Sequence, residues 1–297
     1  QKKRVESESP KQKLKQNKMH NKLNLTLRSF KNYLVVNRGL EPITIHGYSD
    51  CMRRVLTRLG TTRPSNRKFR RYVMGMYKKE YSYSHIVNSC LAIERYGEFI
   101  HRRLKFGRPR KPKPIIKDTL SEAEVTLMLA FAKNVREKAI MAVLAYSGIR
   151  NKELCSLKVQ DVDLSNNSVR VLAGKGKKDG VVCIAPECSK ILTAYLEKYP
   201  RQSEDLMFTT LRHNNKYHTN DARKLLKVVA RRAKIAKRVY PHLMRHSLAT
   251  NLLNRGANIF TVQQQLRHSF IDTTMVYLRS NVNRIQSEYQ FYAPSYA

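Results

Sequence analysis

Acidic residues and long apolar runs are what this 297-residue chain has least of. Only 22 Asp and Glu stand against 58 Lys and Arg, which gives a formal net charge of +36. No apolar run approaches the length that a helix needs to span a bilayer, and the opening Gln1-Lys2-Lys3-Arg4 is not the start of a secretory signal. We therefore expect no membrane contact and a cytoplasmic or nucleoid-associated location.

Cysteine is also too sparse for a metal site or a disulfide framework. No C-x-x-C pair occurs, and Cys183 and Cys188 have no further His or Cys at zinc spacing. Reduced thiols in the core or in strands are expected, and no metal. The five cysteines are Cys51, Cys90, Cys155, Cys183 and Cys188.

The excess of positive charge is the strongest feature that is present. Self-repulsion of this size opposes compaction unless a polyanion neutralises it, and phosphate contacts supply most non-specific affinity for nucleic acid. Nucleic acid is the favoured partner. A ribosomal or chromatin-type basic protein and a membrane-surface binder stay open on charge alone.

Charge runs and prolines divide the chain into four segments. Residues 1–21 carry seven Lys or Arg and few apolar residues, so a basic flexible tail is expected. Residues 22–106 show apolar residues at helical spacing, which predicts a helical bundle. Residues 107–117 are a basic, proline-rich linker, and residues 118–297 form a second domain with a C-terminal tail.

The helices predicted over residues 22–106 carry many Lys and Arg and few acids on their polar faces, which favours phosphate contact over an ordinary solvated surface. Candidate DNA contacts are Arg53, Arg54, Arg67, Arg70, Arg71, Arg108, Arg110, Lys111 and, in the second domain, Lys177.

The second domain combines helices with a short β segment. Ser121 to Glu124 is a capping-box signature, and helical spacing continues to Tyr146. The period then changes: 168–173 and 180–185 predict two strands joined by a glycine-bounded turn, with an earlier strand near 159–164. The expected fold class is mainly α with one small antiparallel β-sheet.

Several basic groups and one tyrosine of this domain suit phosphate chemistry only when taken together. His242 and Arg245, at i and i+3, can meet one ligand at a helix start, although such a pair often arises by chance. Arg150 follows a turn and enters a helix, and Lys175 lies at the expected hairpin tip.

His268 completes this set of cations and proton carriers, nine residues before Tyr277. A lone tyrosine in an apolar context is usually a core residue. With the other five groups, Tyr277 supplies the single nucleophile that phosphodiester chemistry without a metal requires.

The order of these six positions resembles the signature of tyrosine recombinases, the lambda-integrase family. Ser-Gly-Ile-Arg-Asn-Lys-Glu-Leu around Arg150 is similar to its first motif, and Gly-Lys-Gly-Lys-Lys around Lys175 to its hairpin lysine. The resemblance is firm over 118–280 and nearest to compact Xer-like and transposon-borne members. It implies a core-binding bundle and a catalytic domain that form a C-shaped clamp on DNA.

The resemblance also implies the covalent step. Tyr277 would attack the scissile phosphate, giving a 3′-phosphotyrosine link and a free 5′-hydroxyl. Arg150 and Arg245 would hold the non-bridging oxygens, which planar guanidinium groups suit. Because the phosphotyrosine conserves the bond energy, no metal and no cofactor are implied.

Proton transfer and positioning follow from the same resemblance. Lys175 would protonate the leaving 5′-oxygen, His242 would accept and return the tyrosine proton, and His268 would hydrogen-bond the phosphate. Glu153, one helical turn after Arg150, would support the site.

Two positions depart from the family pattern. Arg267 stands where the family usually has a glycine that ends a helix, and it either brings a cation to DNA or shows the glycine to be dispensable. Leu278 replaces the Thr-His that follows the nucleophile in many relatives. Tyr289, Tyr292 and Tyr296 are rival nucleophiles, better explained as docking on a neighbouring subunit.

The resemblance implies a homotetramer on two double-stranded DNA sites that exchanges strands through a Holliday junction. Resolution, integration or excision of a mobile element and dimer resolution all use this chemistry, with or without an accessory protein or partner recombinase. The alternatives are type IB topoisomerase-like relaxation, which the short chain disfavours, and a catalytically inactive DNA-binding regulator, which the complete residue set disfavours.

Overall fold

The computed structural model describes residues 10–112, 118–172, 179–210 and 215–267 of the chain, with side chains from residue 17 onward. The chain divides into two compact units, Gln1–Lys113 and Pro114–Ala297. No helix in the described ranges is long and apolar enough to cross a membrane.

The described part of the first unit is helical. Its helices are α1 (Pro10–Val36), α2 (Pro42–Leu59), α3 (Asn66–Lys78) and α4 (Tyr83–Phe99). The side chains of Ser65 and Ser82 accept hydrogen bonds from main-chain amides at the starts of α3 and α4, and Gly60 ends α2 in the left-handed region. An aromatic cluster around the buried Phe30 and Tyr96 packs the helices together.

The first unit differs from the sequence prediction at both ends. Residues 10–21, expected to be tail, belong to α1. The stretch after Pro10 is rich in Lys, Gln and Asn and contains no Gly or further Pro, so nothing in it interrupts a helix. The last helix of the unit, α4, stops at Phe99, before the end of the segment 22–106 in which helical spacing was expected.

Close packing explains the early end of α4. His101 takes a positive φ of 59°, and the Arg102 amide donates to the Gly97 carbonyl at 2.8 Å. The chain then folds back so closely that a Cβ on Gly97 would lie 2.9 Å from Leu104 Cδ1. Helical spacing of apolar residues cannot reveal such a reversal, because the returning residues are apolar too.

The second unit is α-rich with a three-stranded sheet in the order β1-β2-β3. Its elements are α5 (Glu122–Ala130), α6 (Val135–Ser147), α7 (Asn151–Leu154), a 3-10 turn (Val159–Asp161), β1 (Val162–Asp163), β2 (Ser168–Val171), β3 (Gly180–Cys183), α8 (Pro186–Lys198), α9 (Thr219–Arg232), α10 (Pro241–Asn254) and α11 (Ile259–Leu266). The middle of α6 is fully buried and packs against α8 and α10.

The predicted capping box and antiparallel hairpin are confirmed. Ser121 Oγ accepts from the Glu124 amide while Glu124 accepts from the Ser121 amide. Val169 pairs with Val162 of β1 and with Val182 of β3. All five cysteines are free thiols, and only Cys183 is exposed. The mainly helical fold with one small antiparallel sheet is therefore the one that the sequence predicts.

Candidate active site

Arg245 is the buried centre of the candidate site. Pro241 opens α10, and Arg245 follows one turn later with only 3% of its surface exposed. Its Nη1 donates to the Gly148 carbonyl, and its Nη2 donates to the Leu266 carbonyl. A cation at these two helix carboxyl ends satisfies carbonyls that have no partner within their helices. Arg245 therefore links the ends of α6 and α11 to the start of α10.

Gly148 allows this approach. It ends α6 with φ of 65°, a conformation that glycine adopts without steric cost. A Cβ at this position would lie 2.9 Å from both Leu248 Cδ2 and Leu266 Cδ2. The turn that precedes Arg150 is thus fixed by both backbone conformation and packing.

Arg150 stands at the N-cap of α7, and its side chain is 46% exposed. Its amide donates to Glu153 Oε2 at 2.6 Å, and its Nη1 donates to Glu153 Oε1 at 3.0 Å. Its Nη2 also lies 3.5 Å from the Arg267 carbonyl oxygen. The two arginines expected to hold one phosphate thus contact consecutive carbonyls, those of Leu266 and Arg267.

Glu153 also binds a second guanidinium. Arg267 Nη2 donates to Glu153 Oε2 at 2.6 Å, and both side chains are largely buried. Burial by itself would raise the pKa of Glu153, but hydrogen bonds from the Arg150 amide and the Arg267 guanidinium outweigh it and lower the pKa. The carboxylate is therefore ionised at neutral pH and is shared by two cations.

Gln265 is a positioning residue that no sequence pattern singles out. Its Nε2 donates to the Cys183 carbonyl at 2.7 Å and to the Ser147 carbonyl at 3.2 Å, while its Oε1 accepts from the Cys183 amide at 3.0 Å. The side chain thus pairs with the edge of β3 as a neighbouring strand would. It connects α11 to the sheet and to the end of α6.

His242 lies in the first turn of α10, exposed, with its ring stacked on His246 at a centroid distance of 5.7 Å. It precedes the buried Arg245 by one helical turn, as the i, i+3 spacing predicts. Lys175, His268 and Tyr277 lie outside the described residues.

The proposed DNA contacts are exposed wherever the structure describes them, but they differ in their partners. Arg53 donates to Asn24 Oδ1 at 2.9 Å, whereas Arg108 forms a two-bond ion pair with Glu94. Lys177 lies outside the described residues. The other candidate DNA contacts, all exposed, are Arg54, Arg67, Arg70, Arg71, Arg110 and Lys111. Over the described ranges, no group of three His, Cys, Asp or Glu side chains could hold a metal ion.

Comparison with known proteins identifies the family. The model of the phage integrase family matches residues 118–284, more than half of the chain. Tyrosine recombinase XerA of Thermococcus onnurineus is 31% identical over 269 residues, which cover 89% of this chain and 94% of that protein.

Solved structures agree with this match. The crystal structure of a XerA recombinase is 30% identical with a TM-score of 0.55, covering 92% of this chain and 100% of that one. The integrase of transposon Tn1549, solved in complex with transposon right-end DNA, shares the fold with a TM-score of 0.66 at 19% identity, covering 90% of this chain and 99% of that one. This chain therefore belongs to the phage integrase family and is a tyrosine recombinase, an enzyme that breaks and rejoins DNA at specific sites.

Proposed function

We propose that this recombinase cleaves double-stranded DNA with Tyr277 as its nucleophile, assisted by Arg150, Lys175, His242, Arg245 and His268 and supported by Glu153. One observation carries the proposal. Arg150 and Arg245 come from helices far apart in sequence, yet both guanidinium groups reach the main chain at the end of α11, on the two carbonyls directly before His268. Two cations at one place suit the non-bridging oxygens of a single phosphate.

The two arginines would contribute differently. Arg245 is held by main-chain carbonyls of two helices, so its charge is positioned before the substrate arrives, which is the arrangement that stabilises developing charge most effectively. Arg150 is nearly half exposed and bound to a carboxylate. It would exchange part of that interaction for a phosphate oxygen when DNA binds.

Tyr277 would then attack phosphorus, forming the tyrosine–phosphate bond as the bond to the 5′-oxygen breaks. His242, exposed at the start of α10, would take the phenolic proton, and Lys175 would protonate the departing 5′-oxygen. The reverse attack by a 5′-hydroxyl from the partner duplex would restore the phosphodiester. Every bond broken is replaced, so the reaction needs no energy source.

We further propose that the first unit binds the duplex through α2 and α3, and that four protomers assemble on two sites. The first turn of α3 carries Arg67 and Lys68 and no acid, although the helix macrodipole disfavours cations there. A bound phosphate would remove that penalty. The excess of Lys and Arg over Asp and Glu in the chain also supports DNA binding.

A duplex carrying a nick next to the cleavage site tests the nucleophile, because release of the short fragment traps the covalent protein–DNA adduct. We expect an adduct with the wild-type protein and none with Tyr277→Phe, since only the phenolic oxygen is removed. Tyr292→Phe, which changes a rival tyrosine in the same way, is the matched control and should retain the adduct. Loss with Tyr292→Phe and retention with Tyr277→Phe would contradict the assignment.

Paired sites distinguish strand exchange from simple relaxation. We expect junction intermediates on two-site DNA and little relaxation of a supercoiled plasmid that lacks sites. Free relaxation without any junction would instead indicate topoisomerase-like activity.

A further inference from the structure

Arg267 occupies a backbone position that does not suit an arginine. It ends α11 in the left-handed region, with φ of 51° and ψ of 50°, where a Cβ collides with the neighbouring carbonyl and glycine is favoured. The cost of this conformation must be offset by what the side chain contacts.

The Arg267 side chain lies between two elements of the second unit. Its guanidinium reaches Glu153 of α7, and its stem passes over Gly180, the first residue of β3. A Cβ added to Gly180 would lie 2.7 Å from Arg267 Cδ. Only 13% of the side chain is exposed, so it does not extend into solvent to meet DNA. The absence of a side chain at residue 180 makes room for it.

The interaction with Glu153 matters because Arg150 uses the same carboxylate. Arg150 Nη1 bonds Oε1, and Arg267 Nη2 bonds Oε2. If Arg150 alone paired with this buried carboxylate, moving its guanidinium to a phosphate would leave a buried negative charge without a cation, which is strongly unfavourable. With Arg267 in place, the carboxylate keeps a partner after Arg150 has moved.

We propose that Arg267 is a positioning residue that holds Glu153 as a permanent counter-charge and thereby releases the Arg150 guanidinium for the scissile phosphate. The inference rests on the proposed role of Arg150 in cleavage. In this proposal Arg267 acts through the carboxylate that it shares with Arg150.

A double-mutant cycle tests this coupling, using Arg267→Gly, Glu153→Gln and the combined variant on the nicked duplex. At saturating protein, we expect Arg267→Gly to slow adduct formation on the order of tenfold, a size typical of residues that share one partner, while its Kd for DNA stays within about twofold. In the Glu153→Gln background the carboxylate charge is absent, so Arg267→Gly should not slow adduct formation any further. Arg267→Lys, which keeps the charge, should recover most of the rate.

Thermal unfolding separates positioning from a merely structural role. Glycine relieves the left-handed backbone, so Arg267→Gly should melt no lower than the wild type while cleaving more slowly. A fall in melting temperature that parallels the fall in rate would overturn the proposal, as would an unchanged rate or an equal loss in the Glu153→Gln background.

Gly180→Ala provides an independent test, because the new methyl group displaces the Arg267 stem. Gly180→Ala should slow cleavage when it is made in the wild type and should have no effect when it is made in the Arg267→Gly variant. An equal effect in both backgrounds would contradict the proposal. If the wild type formed no adduct at all, the proposed function would fail; if it did and Arg267→Gly cleaved at full rate, only this inference would fail.

Discussion

The arginines on α2 and α3 of the first unit and those around the end of α11 in the second unit are held in opposite ways. On α2 and α3 of the first unit, Arg54, Arg70 and Arg71 are exposed, and no carboxylate of the described residues lies within ion-pair distance of them. In the catalytic unit, Arg245 and Arg267 are largely buried and bound to protein oxygens. The same residue type thus provides unpaired surface charge on α2 and α3 and fixed charge around the end of α11.

Under the proposed function, this difference separates the residues that give affinity for DNA from those that promote cleavage. Surface cations bind DNA by releasing counterions, so their contributions are roughly additive and tolerate small displacements. Cations that stabilise a transition state must be positioned in advance, since their value depends on the distance to the developing charge. Substitutions of these surface arginines should therefore weaken DNA binding gradually, whereas loss of Arg150 or Arg245 should stop the reaction.

Arg245→Ala should have the largest effect. It removes a buried cation and leaves the Gly148 and Leu266 carbonyls without that partner, so we expect no adduct and a loss of about 3 kcal/mol in the free energy of unfolding, because hydrogen bonds to charged groups contribute roughly 1.5–3 kcal/mol each. Adduct formation on the nicked duplex and urea unfolding of the full chain measure the two quantities.

Arg150→Ala is the matched control for Arg245→Ala. Its side chain is nearly half exposed, so its ion pair should contribute less than about 1 kcal/mol to stability, while the adduct should again be lost and DNA binding largely retained. If Arg150→Ala destabilised the protein as much as Arg245→Ala, the distinction between a buried and a half-exposed arginine would be wrong.

The double change Arg70→Gln and Arg71→Gln should have an intermediate effect. We expect weaker DNA binding, and a slope of log affinity against log salt that is shallower by about 1 for each phosphate that the variant no longer binds. The rate of adduct formation at saturating protein should stay unchanged. Fluorescence anisotropy over a salt series measures the slope. A salt slope equal to that of the wild type, together with slower adduct formation, would instead mean that these residues take part in cleavage.

The sequence predicted the parts of this fold that depend on local patterns. The capping box at Ser121 and the hairpin of β2 and β3 each rest on residues close together in the chain, and both are confirmed. The extension of α1 to Pro10 and the end of α4 at Phe99 were missed. A charged stretch can be helical or disordered, and the reversal after Phe99 depends on the close approach of Gly97 and Leu104.

Two arginines of the proposed site could be named from the sequence, whereas the residues that support them could not. The order of the motifs singles out Arg150 and Arg245, and the structure brings both to the end of α11. Two of these supports join residues more than eighty positions apart. Arg267 shares Glu153 with Arg150, and Gln265 pairs with β3. No spacing rule links such residues, so only the folded chain reveals them.

Arg108 should show the smallest effect. It sharpens the comparison because it belongs to the first unit yet is paired with a carboxylate, as Arg150 and Arg267 are. Both of its terminal nitrogens bond Glu94, and the Phe106 amide bonds the same carboxylate. An arginine whose charge is already neutralised by a carboxylate displaces fewer counterions from DNA when the protein binds. Arg108→Gln should therefore leave the salt slope almost unchanged, in contrast to the double change at Arg70 and Arg71. It should lower the free energy of unfolding by about 1 kcal/mol, as expected for a partly exposed ion pair. A slope that is shallower by about 1 would mean that Arg108 leaves Glu94 for a phosphate when DNA binds. Pairing in the free protein would then not determine which arginines bind DNA.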